Sequence, residues 1–131
     1  MFRNVLKSKI HRATVTDADL HYEGSVSIDE NLLEAADIIP LEHVHVWDVT
    51  NGNRFETYAL AAPRGSATVC INGAAAHLAK KGDIVIITSF GTLAEESLKN
   101  HQPRVVLVDA HNQIVPEKST LPKGKLKSFH P

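Results

Sequence analysis

The sequence predicts a mainly β fold, with six or seven short strands closed into a compact barrel and small helices at its corners. Three observations carry that expectation. Runs rich in β-branched residues recur along the chain, as in "KIHRATVT", "ATVCI", "IVIITSF" and "RVVLVDA". Turn signals separate them at close intervals, with Asn51-Gly52, Pro63-Arg64-Gly65 and Lys81-Gly82-Asp83 the clearest. The helix-compatible stretches are brief, which argues against a doubly wound sheet. A chain of 131 residues is long enough to bury one core without disulfide or metal staples.

In chain order, 9–16 alternates and reads as a strand. Ser27 with Glu30 three residues on makes a capping box, and Leu32, Leu33, Ala35 and Ala36 follow, so a short helix is expected over 27–37, ended by Ile38-Ile39-Pro40. Residues 43–60 form a hairpin about Asn51-Gly52, a dipeptide that favours positive φ. A strand follows at 67–71, then "NGAAAHLA" (72–79) as a turn opening one or two helical turns. The apolar run 84–90 is a buried strand, 93–100 is polar and helix-compatible, and 104–110 is the last strand. From Pro116 onward apolar patterning is scarce and four lysines appear, which divides the chain into a domain at 1–117 and a flexible basic tail at 118–131.

Composition excludes several classes. Fourteen basic residues balance fifteen acidic ones, so no net field draws the chain to nucleic acid or to an anionic membrane. Nor is there an aromatic platform for stacking bases. Cys70 is the only cysteine, which rules out an internal disulfide and suits a reducing cytoplasm. No apolar run reaches the length of a membrane span, and "MFRNVLKSKIHR" lacks a signal-peptide core, so a cytoplasmic location is expected.

The chemistry-bearing residues are scattered. His43 and His45 share a strand face, but no third ligand lies near them in sequence, and no metal is expected. Asn72-Gly73-Ala74-Ala75 is a tight turn whose backbone N–H groups could cradle a carboxylate, or simply lead into a packed helix. Arg54 and Tyr58 fall on one strand face and Thr57 on the other, a guanidinium to clamp a carboxylate and a phenol to donate a proton. Lys9 and His11 share a face of the first strand. Gly24-Ser25 in "HYEGSVSIDE" is either a turn or a point at which the chain cuts itself.

Taken together, "KIHRATVTDADLHYEGS", "NGNRFETYAL", "NGAAAHL" and "GDIVIITSF", in that order, resemble the pyruvoyl-dependent aspartate 1-decarboxylase family over nearly the whole chain before the tail. The resemblance implies a double-psi β-barrel and a homotetramer with active sites at subunit interfaces, making β-alanine for pantothenate and coenzyme A. It also implies a use for Ser25. The hydroxyl would attack the Gly24 carbonyl, with Thr57 stabilising the oxyanion. Elimination and hydrolysis would then leave chains 1–24 and 25–131, the second starting with a pyruvoyl group. That group, formed without pyridoxal phosphate or metal, would take the amine of L-aspartate as a Schiff base and accept the electrons released with carbon dioxide.

By the same resemblance Tyr58 is the proton donor, Arg54 and Lys9 bind the carboxylate that stays, and Gly73, Ala74 and Ala75 line the ligand. Ile86 and Tyr58 wall the departing carboxylate, while His11, Trp47 and Asn72 shape the pocket. Two positions depart from the family pattern: Val26 follows the serine, and Asp48 stands where an amide is frequent. A maturation helper protein is a further partner that some family members need. A pyruvoyl decarboxylase for another amino acid, and an inactive barrel used as a binding module, are the alternatives. Substrate preference and the presence or absence of cleavage distinguish them.

Overall fold

The structure is a computed structural model that describes residues 1–121. It is mainly β, as the strand patterning predicts. Eight strands, β1 (Phe2–Thr14), β2 (Asp17–Asp19), β3 (Ser25–Asp29), β4 (His43–Asp48), β5 (Arg54–Ala62), β6 (Val69–Asn72), β7 (Ile84–Ala94) and β8 (Arg104–Leu107), pair in the order β2-β6-β3-β5-β4-β7-β1-β8. The sheet is mixed: β1 with β8, β2 with β6 and β3 with β5 run parallel, the other pairs antiparallel. Among the described residues, no helix is long and apolar enough to cross a membrane.

Two strands were not expected, which raises the count from six or seven to eight. β2 is three residues long and β3 replaces the predicted start of the helix. Ser27 does not cap that helix. It stays in β3, and Asp29 takes the cap, accepting from Asn31 N at 2.8 Å, so the helix α1 covers only Glu30–Ala36. Asp29 also accepts from Gly65 N and Ala67 N at 3.0 and 2.8 Å, so one carboxylate ties α1 to the turn after β5. The helix ends at Asp37, which is left-handed at φ 57°. The other predicted helical pieces are tighter 3-10 turns, Gly73–His77 and Glu95–Asn100.

Strand lengths differ for local reasons. β1 begins at Phe2 rather than 9 because β7, itself extended to Ala94, pairs with its whole length. The ribbon skips register between Ile10 and Ala13, where Arg12 takes φ 66°. That bulge returns Ala13 to the interior, fully buried like Ile10. β8 stops at Leu107, where Asp109 and Asn112 form a turn and a Val108–Ile114 bridge closes it. Of the segment expected as a tail, Ser119 and Thr120 bond back to β8, Leu121 packs against the core, and 122–131 lie outside the described residues.

The hairpin about Asn51-Gly52 forms as predicted, with Gly52 at φ 82°. Asp48 ends β4, its Oδ1 accepting from Thr50 N and Asn51 N at 2.9 and 3.1 Å. Its other oxygen is buried and no N–H reaches it. Burial, and then a hydrogen bond to Asp83, push the Asp48 carboxyl up to about 6, while that bond holds Asp83 below the usual carboxylate range. Two ionised carboxylates side by side would repel, which favours a proton on Asp48 rather than on Asp83.

The core is one cluster of aliphatic side chains, with Ile10, Val26, Ile28, Leu32, Val44, Val46, Ile71 and Ile87 among the most buried. β5 is the strand that positions the site. Its first half, Arg54–Tyr58, pairs with β4, and its second half, Ala59–Ala62, pairs with β3.

Candidate active site

Ser25 opens β3 and is fully buried. Pairing with β6 sets Ser25 opposite Asn72 and Ser27 opposite Cys70. Residues two apart on a strand share a face, so these four side chains converge. Asn72 Nδ2 donates to Ser25 Oγ and Ser27 Oγ, both at 3.1 Å, and Cys70 Sγ donates to Asn72 Oδ1 at 3.2 Å. Burial, and then Asp17 and Asp19, push the Cys70 thiol up, which keeps it protonated as that donor. Ser25 Oγ in turn donates to the Glu23 carbonyl at 3.3 Å.

Gly73 follows Asn72 directly, with φ 72°. A Cβ there would lie 2.6 Å from Gly24 Cα, 2.7 Å from Gly24 N and 3.0 Å from Tyr22 O. Only glycine lets the two backbones meet. Gly24 has no such need: its φ is not left-handed, and an added Cβ meets nothing within 4 Å. Ala74, exposed, and Ala75, half-buried, continue into the 3-10 turn beside the same segment.

Tyr58 lies where β5 changes partner. Val26 pairs with Ala59 in parallel, so Ser25 and Tyr58 each precede that pair by one residue and share a face. Thr57 pairs with Val44 on the other face. Among the described residues Ser25 Oγ is bonded to Asn72 and Glu23, not to Thr57.

The remaining expected residues gather elsewhere. Across β1, β7, β4 and β5 the register makes one row of Lys9, Thr88, His45 and Glu56, and a second of Ile86, Trp47 and Arg54. His11, two residues beyond Lys9, lies beside the bulge of β1. Arg54 is exposed, with its guanidinium carbon 4.8 Å from the Trp47 ring centroid. Among the described residues neither Arg54 nor Lys9 forms an ion pair. His11 Nδ1 is buried without a partner among the described residues, and burial, then Lys9, then Arg12 lower its pKa, favouring the neutral ring. Arg54 stands four residues before Tyr58, about 13 Å along β5. Arg54 and Lys9 thus stand in strand rows apart from the Ser25–Asn72 cluster.

The family model described as "Aspartate decarboxylase" matches residues 1–115. The chain belongs to the aspartate decarboxylase family. An aspartate 1-decarboxylase of Syntrophus aciditrophicus is 59% identical over 114 residues, covering 87% of this chain and 98% of that protein. One from Chromobacterium violaceum is 53% identical over 122 residues, 93% of this chain and 97% of the relative. One from Thermoanaerobacter pseudethanolicus is 55% identical over 115 residues, 88% and 98% respectively. Within this aspartate decarboxylase chain, sequence reasoning had overlooked Ser27 and Cys70 around Asn72. Their period-2 spacing from Ser25 and Asn72 was visible, but the pairing of β3 with β6 was not. It had also overlooked Glu56 as a neighbour of His43 and His45.

Proposed function

We propose that this chain is a self-processing, pyruvoyl-dependent enzyme that decarboxylates L-aspartate to β-alanine for pantothenate and coenzyme A synthesis. The observation that carries the reading is a buried Ser25 hydroxyl held by Asn72 at the Gly24–Ser25 bond, in a chain whose named relatives are aspartate 1-decarboxylases.

Ser25 Oγ attacks the Gly24 carbonyl carbon, the C–N bond breaks, and the nitrogen of residue 25 takes a proton as an amine. Loss of the residue-25 α-proton then breaks the Cβ–O ester bond, leaving a Gly24 carboxylate and dehydroalanine. Water adds at the α-carbon and ammonia leaves. The Asn72 amide fits both ends of this sequence, since it can donate to the hydroxyl oxygen in the precursor and to a ketone oxygen in the product. Gly73 lets the backbone of 22–24 lie close enough for the attack. Thr57, beside Tyr58, is the oxyanion donor in this reading.

The ketone supplies an electron sink for the pair released when the α-carboxylate leaves as carbon dioxide. The protein's residues do the rest. Arg54 grips the carboxylate that stays, aided by Lys9, because neither cation has an ion-pair partner among the described residues. Gly73, Ala74 and Ala75 line the ligand with backbone. Tyr58 delivers the proton to the former α-carbon, a role typically worth roughly 10²–10⁴ in rate. Ile86 and the Tyr58 ring keep water from the departing carboxylate. His11 and Trp47 hold Lys9 and Arg54 in place, one as a neutral ring and the other by stacking.

The separation of Arg54 and Lys9 from the Ser25–Asn72 cluster supports a second copy. Arg54 lies about 13 Å from Tyr58 along its own strand, and in this reading the cations of one chain serve the Ser25 of another. A homotetramer with interfacial sites and a double-psi arrangement of the mixed sheet follow from this reading. The parallel β3–β5 and β1–β8 pairs support the latter. A helper protein for maturation belongs to it as well.

Intact mass under denaturing conditions tests the core of the proposal. Fragments 1–24 and 25–131 are expected, the larger lighter by one ammonia than a chain starting with serine. Ser25→Ala should remain one chain and make no β-alanine. An uncleaved but active Ser25→Ala protein overturns the mechanism.

A further inference from the structure

We propose that His43, His45 and Glu56 form a binding site for a divalent transition-metal ion of the zinc and copper class. β4 presents the two histidines on one face, and the hairpin register sets Glu56 of β5 directly opposite His45 and diagonal to His43. The ligand atoms of all three lie within 4.8 Å of one another. His43 Nε2 is 2.7 Å and His45 Nε2 3.6 Å from Glu56 Oε1. Two ligands bound tetrahedrally at ~2.1 Å stand about 3.4 Å apart. The His45–Glu56 separation already suits an ion, and His43 needs only a small side-chain rotation to open its contact.

The scaffold is rigid where it matters. Val44 and Val46, flanking His45 on the strand, are fully buried, and Phe90 meets the His45 ring edge-on with centroids 5.5 Å apart. The two imidazoles already lie side by side, centroids 5.1 Å apart and tilted by 34°. Thr88 pairs with His45 across β7 and carries a buried hydroxyl with no partner among the described residues, a group suited to accept the other ring N–H of a metal-bound His45. Lys7, which lines the cavity beside the two histidines, pairs with Glu42 at 3.2 Å. A cavity of about 390 Å³ beside the histidines leaves room for exchange with solvent.

Two imidazole nitrogens and one carboxylate oxygen are a donor set for zinc, copper or nickel rather than magnesium or calcium. Three protein ligands leave a coordination position for water. On binding, the hydrogen bond between His43 and Glu56 gives way to two metal–ligand bonds. Any proton on His43 Nε2 moves to Nδ1 or to solvent, since the lone pair must face the ion. The third ligand lies thirteen residues from His43, too far to be seen without the hairpin register. The inference does not depend on self-cleavage.

The test is zinc titration by calorimetry on full-length protein stripped with chelator, with magnesium as the comparison ion. One zinc per chain is expected, with affinity falling at least about tenfold in each of His43→Ala, His45→Gln and Glu56→Gln. His111→Ala, an exposed histidine elsewhere, should bind as the parent does. Thermal melts of each variant show that the fold is intact. No saturable binding up to ~1 mM zinc, or equal binding by folded variants, overturns the site and leaves only a His–Glu hydrogen bond. Magnesium binding as tightly as zinc overturns the assigned metal class.

Discussion

Gly73 and Gly24 meet backbone to backbone, and a Cβ on Gly73 would lie 2.6 Å from the Gly24 Cα. The contact carries the segment ending at the proposed scissile bond across the start of the 3-10 turn after β6. Its first consequence is an asymmetry between two glycines.

Gly73→Ala must strain a residue at φ 72° and displace the 22–24 backbone. A destabilisation of about 1–3 kcal/mol is expected, with slow or absent cleavage. Gly24→Ala meets nothing within 4 Å and should fold normally and still be cut. Time courses of fragment formation by mass spectrometry measure both. Equal cleavage in the two variants would remove the steric role given to Gly73.

Asn72→Ala takes the donor from Ser25 and leaves the Ser27 and Cys70 groups unpaired. Cleavage should slow by about 10²–10³, as when one oriented donor is lost from a reacting oxygen. Cys70→Ala removes only the bond that orients the amide, and a slowing of no more than about tenfold is expected. A Cys70→Ala protein as slow as Asn72→Ala would assign the thiol a direct role.

Asp48 and Asp83 make stability depend on pH. The Asp48 carboxyl at about 6 lies above its ordinary 3.8, so its contribution is fully present below 3.8 and lost as pH rises through about 6. Asp83, lowered, works in the opposite sense and loses its contribution only as pH falls through its own depressed value. At pH 7.5 the Asp48 proton is gone. Asp48→Asn replaces it with a permanent N–H donor, and should raise stability there by about 1–2 kcal/mol. The melting temperature gained by the variant should grow between pH 5 and 7.5. A constant difference would mean that Asp48 does not lose a proton in this range.

Arg54→Ala should leave cleavage intact, because the guanidinium stacks on Trp47 and not on the segment about Ser25. Its KM for aspartate should rise by about 10–100-fold for loss of a charged, bidentate contact. Arg54→Lys should recover only part of this. Unchanged KM in Arg54→Ala would move the carboxylate clamp elsewhere.

What could be read from the chain alone was what depends on near neighbours. Asn51-Gly52 announces its hairpin because the positive φ at Gly52 is a local preference, and the apolar run from Ile84 announces a buried strand by composition. The resemblance also nominated Ser25, Asn72 and Gly73, which the fold brings together. Tertiary structure decided what depends on partners far along the chain. Ser27 reads locally as a helix cap, yet β5 and β6, more than thirty residues ahead, draw it into a strand where its hydroxyl serves Asn72. Gly24 reads as the special glycine, but the contact that requires one belongs to Gly73. Arg54 and Tyr58 read as partners on one strand face, and a strand holds residues four apart about 13 Å from each other. Local sequence sets backbone preference; which side chains meet is set by register between strands, and register is settled by the burial of the whole core.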